Sequence, residues 1–277
     1  MTAAPDPTAR VAGLFDALSS TYDAVGVDFF APIADGLLAA MPPRAGERWL
    51  DVGCGRGAVL LPAATGVGPS GRVTGIDISP GMVEQARRLA TERGLDNVEV
   101  RVGDARDPLV DGTVDVVASS LVLFFLPDPA AALRSWLALL APGGRVGVAT
   151  FGPVDPRWEQ VDDVFTPHLP PQLRDARTTG KDGPFGSDSG LERLVSDAGY
   201  VDVRTVTLEL PVRFADAEQW HAFTWSVGQR AMWLAVPEDE RADVRAEAER
   251  RIASYADPDG SVTFTQVVRY TLASRAS

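Results

Sequence analysis

In the stretch "RWLDVGCGRGAVL", Arg48 to Leu60, a carboxylate stands two residues ahead of alternating glycines: Asp51, then Gly53, Gly55 and Gly57. Glycines at that spacing form a tight turn and let a ligand approach the main chain with no Cβ in the way. Two further acids, Asp77 and Asp104, each close a short run of β-branched residues downstream. One aspartate at a strand end is more often a turn or cap residue. Three of them on successive strands, beside a glycine turn, argue instead for a ligand.

The ligand's charge can be argued from the same residues. Gly53-x-Gly55-x-x-Ala58 satisfies the dinucleotide pattern, with Asp77 about 20 residues on, so a nicotinamide oxidoreductase has to be weighed. A pyrophosphate pressed against that turn would lie beside Asp51, negative on negative, and Asp104 would have no role. A ligand made of a ribose, an adenine and a cationic amino-acid portion suits all three acids. Asp77 would take the ribose hydroxyls and Asp104 the adenine amino group. Asp51 would hold the ammonium, directly or through water, and favour a nearby sulfonium.

The elements that must position these groups alternate. Strands are expected at 49–52, 73–78, 98–102, 114–119 and 145–151. Helices are expected at 57–65, where Pro62 predicts a kink or early stop, from Pro80 behind a Ser79 cap to about Arg93, and from Asp128-Pro129 to Leu140. Strands alternating with helices imply a parallel sheet covered on both faces. Two helices precede it, over 11–20 and 30–41. After Phe151 the rhythm breaks into a Pro- and Gly-rich stretch to 187, a helix ending at Gly199, a strand at 203–210, a helical insertion at 215–255 and a closing strand at 267–273. The organisation expected is a helical lead-in and lid over 1–44, a cofactor-binding core over 45–152, and the rest of the sheet with helical lid insertions over 153–277.

As a set, "LDVGCGRG", "VTGIDISPGMVEQAR" and the segment from Val100 to Phe151 resemble the class I S-adenosylmethionine-dependent methyltransferases. "FDALSSTYDAV" is similar to the lead-in of quinone methyltransferases and of small-molecule methyltransferases of secondary metabolism. The resemblance spans about 45–152. It implies an α/β Rossmann-like sheet of seven mostly parallel strands, the last antiparallel, with helices on both faces. It implies S-adenosyl-L-methionine as cofactor, contacted by Asp51, Gly53, Gly55 and Asp77, with Ile78 against the adenine, Asp104 and the Ala105 backbone reading its edge, and Ser120 near the methionine portion. Tyr22 matches a lead-in tyrosine that closes over the cofactor in similar proteins, set against an ordinary half-buried aromatic. The activity implied is methyl transfer to an oxygen or carbon of a small, largely apolar metabolite. A cofactor-binding protein of the same fold doing another task, such as a cyclisation, stays open.

The acceptor pocket is expected from the lid beyond residue 152. "EQWHAFTWSVGQRAMW" offers Trp225 and Trp233, off the stripe of Trp220, Phe223 and Val227, as pocket walls, and His221 as candidate general base. Only two histidines exist, His168 and His221, and no metal-ligand spacing occurs, so no metal is expected. Cys54, the only cysteine, excludes an internal disulfide and reads as a small loop residue. The composition, 45% hydrophobic and 23% charged over 277 residues, is that of a globular chain with a sizeable core. A net charge of -12 argues against nucleic acid and anionic membrane as partners. The amino terminus lacks a signal-peptide pattern and no run reaches the roughly 18 apolar residues of a membrane span. The expected setting is cytoplasmic. The oligomeric state stays open, a homodimer among the options.

Overall fold

The computed structural model describes residues 7–170 and 183–277. Seven strands form one sheet: β1 (Arg48–Val52), β2 (Arg72–Asp77), β3 (Val98–Val102), β4 (Val114–Ser120), β5 (Leu140–Val154), β6 (Val201–Phe214) and β7 (Val262–Ser274), in the order β3-β2-β1-β4-β5-β7-β6. Strands β1 to β5 pair in parallel, and β7 lies antiparallel between β5 and β6. The chain steps outward from β1 to β3 and then returns to β4 on the other side of β1. The carboxyl ends of β1 and β4 therefore flank the point where strand order reverses, which is where ligands bind in such sheets.

The central strands are Val-, Ile- and Leu-rich because both faces are covered. On one face lie α2 (Phe30–Ala40), α3 (Leu60–Val67) and α4 (Pro80–Glu92), packed through Leu37, Leu60 and Val83. On the other lie α5 (Pro129–Leu139) and α7 (Asp188–Asp197), packed through Leu133, Trp136 and Leu191. A lead-in helix, α1 (Pro7–Leu18), lies against α4. Ser79 caps its helix as expected, its Oγ accepting from the Met82 amide, and Asp128 likewise accepts from Ala131 and Ser187 from Gly190. Helix α6 (Pro156–Asp162) begins behind Asp155 in the same way. The insertion after β6 folds as α8 (Ala217–Ser226), α9 (Arg230–Ala235) and α10 (Arg241–Ala253), and Trp220, Phe223, Trp233 and Ile252 extend the core on the face covered by α2, α3 and α4. Among the described residues no helix is long and apolar enough to cross a membrane.

Two expectations are corrected. Helix α3 starts at Leu60, not Gly57, and Pro62 neither kinks nor ends it. The Leu61 amide bonds to Gly57 and the Ala63 amide to Val59, so the missing N–H of Pro62 falls in the first turn, where it costs nothing. Strands β5, β6 and β7 are also longer than their apolar runs. Strand β6, expected at 203–210, is an edge strand whose side chains are mostly exposed, and it extends at both ends beyond the expected run. The expected Pro- and Gly-rich stretch lies partly outside the described residues.

Candidate active site

A cavity of about 450 Å³ opens at the reversal point. Of the residues expected to hold a cofactor, Tyr22, Asp51, Gly53, Gly55, Asp77, Ile78, Asp104, Ala105 and Ser120 all line it. Asp51 sits at the end of β1 and is almost wholly buried. Neither of its carboxylate oxygens has a hydrogen bond of good geometry among the described residues, although the Leu60 amide lies near enough to act on it. Burial pushes its pKa up to about 7; the nearby Leu60 amide offsets part of that, and the charge of Asp77 adds to it. A buried carboxylate without a well-formed hydrogen bond is costly unless something supplies one.

Asp77, at the end of β2, ties the loops around it together. Its Oδ2 accepts from the Gly55 amide and its Oδ1 from the Ser79 amide, both at 2.9 Å. Burial still raises its pKa, against these amides. A carboxylate has about four acceptor positions, so it keeps capacity for a ligand's hydroxyls. The glycine turn is conformationally demanding. Gly53 has φ +72 and a Cβ there would stand 2.3 Å from Val122 Cγ2; Gly55 has φ +52, and a Cβ there would enter open space. Asp104 differs from the other two. Arg106 forks onto it, with Nη2 2.6 Å from Oδ2, and this pairing lowers its pKa. The Ala105 carbonyl accepts from Trp136 Nε1 at 2.7 Å, which fixes that loop on α5. Cys54 is buried, and burial beside Asp51 and Asp77 drives its thiol pKa up, so it is no nucleophile.

The lead-in closes the cavity. Thr8, Val11 and Phe15 of α1 line it, as do Tyr22, Asp23 and Phe30. The Tyr22 ring stacks on Phe30 with centroids 4.6 Å apart, and its carbonyl accepts from the Arg56 guanidinium. Burial raises the Tyr22 pKa, with Asp23 and Asp77 adding. Asp16 Oδ1 accepts from Ser79 Oγ at 3.0 Å and from the Gly81 amide at 2.8 Å. A continuous chain of hydrogen bonds thus runs from α1 through Ser79 and Asp77 to the glycine turn. Asp23, in a left-handed conformation with φ 52, has a pKa raised to about 6; burial dominates, Arg56 opposes it and Asp28 adds. Sequence alone missed Asp16 and Asp23 as members of this site and left the direction of Arg56 open.

His221, Trp225 and Trp233 do not come to this cavity, and no described residue beyond Pro127 lines it. His221 Nε2 accepts from Trp225 Nε1 at 2.9 Å, Trp233 Nε1 donates to Thr224 Oγ1 at 2.9 Å, and the two indoles stack at 5.8 Å. Burial lowers the His221 pKa. His221 and Trp225 satisfy each other, Trp233 is satisfied by Thr224, and the three rings pack together inside the helical insertion. The lead-in, not the insertion, contributes to the wall of this cavity.

A family model described as a methyltransferase domain matches residues 43–183. The chain belongs to the methyltransferase-domain family. It is 41% identical over 271 residues to nocamycin O-methyltransferase of Saccharothrix syringae, covering 93% of this chain and 95% of that one. It is 40% identical over 208 residues to aklanonic acid methyltransferase DauC of Streptomyces sp. strain C5, covering 72% and 94%. The fold also matches geranyl diphosphate C-methyltransferase of Streptomyces coelicolor, with TM-score 0.52 and 20% identity over 89% of this chain and 79% of that one. The resemblance to S-adenosylmethionine-dependent methyltransferases read from the motifs therefore holds. As a methyltransferase, the chain keeps its cavity where the motifs converge. The site's chemistry fits that donor: a buried carboxylate without a well-formed hydrogen bond suits a cationic group, and the open space at Gly55 lets the group approach the main chain.

Proposed function

We infer that this methyltransferase moves the methyl group of S-adenosylmethionine to an oxygen or carbon of a small, largely apolar metabolite. The observation that carries this is Asp51, buried without a well-formed hydrogen bond in the lining of a cavity it shares with Asp77. Two close relatives that methylate small molecules, one named for an oxygen acceptor, support oxygen over carbon. When bound, the donor supplies a methyl already activated on a sulfonium.

The chain's own residues then have three tasks. Asp77 holds the ribose while fixing the Gly55 and Ser79 amides. Asp51 compensates positive charge in the amino-acid portion. The lead-in, anchored by Asp16 and by Arg56 on Tyr22, excludes water and orients the acceptor. An acceptor that must lose a proton finds Asp23 lining the same cavity, its pKa raised toward neutrality, where a general base works best.

Calorimetric titration with S-adenosylmethionine, S-adenosylhomocysteine and NADH tests the donor. Binding of the first two without NADH is expected; NADH binding alone would return the chain to the oxidoreductase reading. Donor binding with no methyl transfer to any acceptor from the producing pathway would favour a cyclisation instead.

A further inference from the structure

Seven aromatic side chains from five places in the chain close a ring beside this cavity. Phe124 meets Phe125 at 4.7 Å between centroids, Phe125 meets Phe15 at 5.6 Å, and Phe15 meets Tyr22 at 6.0 Å. Tyr22 stacks on Phe30 at 4.6 Å, and Phe30 meets Phe29 edge-on at 5.0 Å. Phe29 lies 6.3 Å from Phe151, which stacks on Phe124 at 5.5 Å and completes the circuit. The members come from α1, the turn after it, the start of α2, the turn after β4 and the end of β5.

This is unlike the rest of the aromatic core. Trp136, Trp220, Trp233, Phe165, Phe214, Phe223 and Phe264 are fully buried. Of the ring, only Phe29 is buried, and the other six keep exposed surface. Phe15, Tyr22, Phe30 and Phe125 line the cavity that holds Asp51 and Asp77. Those four half-covered rings leave apolar surface toward the cavity for a further molecule to cover.

We propose that this ring is the acceptor subsite and that it selects planar, conjugated ring systems over saturated ones of the same size. The inference rests on the methyl-transfer reading above. Any apolar molecule gains from burial there, so burial alone does not discriminate. Stacked and edge-on contacts do: each favours an aromatic partner about two- to tenfold beyond the area it covers. Phenylalanine walls offer no hydrogen bonds, and Tyr22 supplies the ring's one hydroxyl. A flat acceptor would be held by its faces and oriented by its substituents.

The test uses the whole chain loaded with S-adenosylhomocysteine. Its affinity is measured by calorimetry for 1,8-dihydroxyanthraquinone and for perhydroanthracen-9-ol, a saturated tricycle of similar size. The planar probe should bind at least tenfold tighter. Phe15→Leu and Phe30→Leu should each weaken it about three- to tenfold, leave the saturated probe within twofold, and leave S-adenosylhomocysteine binding intact, which also reports folding. Equal affinity for both probes, equal losses for both in the variants, or binding of neither probe to the loaded protein would overturn the proposal. So would variants that lose S-adenosylmethionine relative to S-adenosylhomocysteine, because the ring would then be serving the sulfonium. Failure of the parent chain to bind S-adenosylhomocysteine at all would instead strike the methyltransferase reading.

Discussion

Replacing Asp51 by asparagine should stabilise the empty protein while it weakens cofactor binding. The Asp51 carboxyl is raised from 3.8 to about 7 by burial. A raised carboxyl pKa means that the folded state binds the proton more tightly than the unfolded chain. Stability is then lost as pH rises from about 4 to about 7, by up to roughly 4 kcal/mol in all, and the loss is complete above that window. Asparagine keeps the shape and removes the charge, but its buried amide costs about 1–2 kcal/mol of that gain. At pH 8 Asp51→Asn should therefore be more stable than the parent by about 2 kcal/mol, or roughly 4–8 °C in Tm. At pH 4 the advantage should vanish. Urea or thermal unfolding of both proteins without cofactor, from pH 4 to pH 8.5, measures the difference, and taking the difference removes the titration of every group away from this site. An asparagine variant no more stable at pH 8, or one offset equally at all pH values, would refute the claim that Asp51 is a buried charge held for a ligand.

Gly53→Ala should fall by about 2 kcal/mol or more in stability and lose cofactor binding, since its φ is +72 and the new methyl would meet Val122 at 2.3 Å; calorimetry with S-adenosylhomocysteine checks it. Asp16→Ala removes two acceptor bonds that tie α1 to Ser79 and Gly81, and should raise the cofactor Kd about tenfold, whereas Asp16→Asn, which keeps an acceptor oxygen, should recover most of it. His221→Ala should leave the pH profile of turnover unchanged, because His221 lies outside the cavity; Asp23→Asn should remove an acid limb near pH 6, as the neutral amide cannot take the proton.

The glycine turn, the acids at the strand tips and the alternation of strands and helices were legible because each depends on neighbours in sequence. A turn needs glycine locally, and a covered parallel strand needs a continuous apolar run. The lead-in's role was not legible. Asp16 reaches Ser79 and Gly81, and Arg56 reaches Tyr22, over separations of 34 to 65 residues, and no local pattern announces such contacts. The tryptophans of the insertion misled for a related reason. Aromatic side chains near a histidine have the same spacing whether they line a pocket or fill a core, and here Trp225 and His221 satisfy each other. The aromatic ring beside the cavity was hidden as well, because its seven members come from segments that only folding brings together.

The most direct measurement is a crystal structure of the protein with S-adenosylhomocysteine. The ribose hydroxyls should lie within hydrogen-bond distance of Asp77 and the amino-acid portion beside Asp51 and the Gly53–Gly55 turn. A ligand lodged elsewhere, with both carboxylates still lacking it as a partner, would contradict the account.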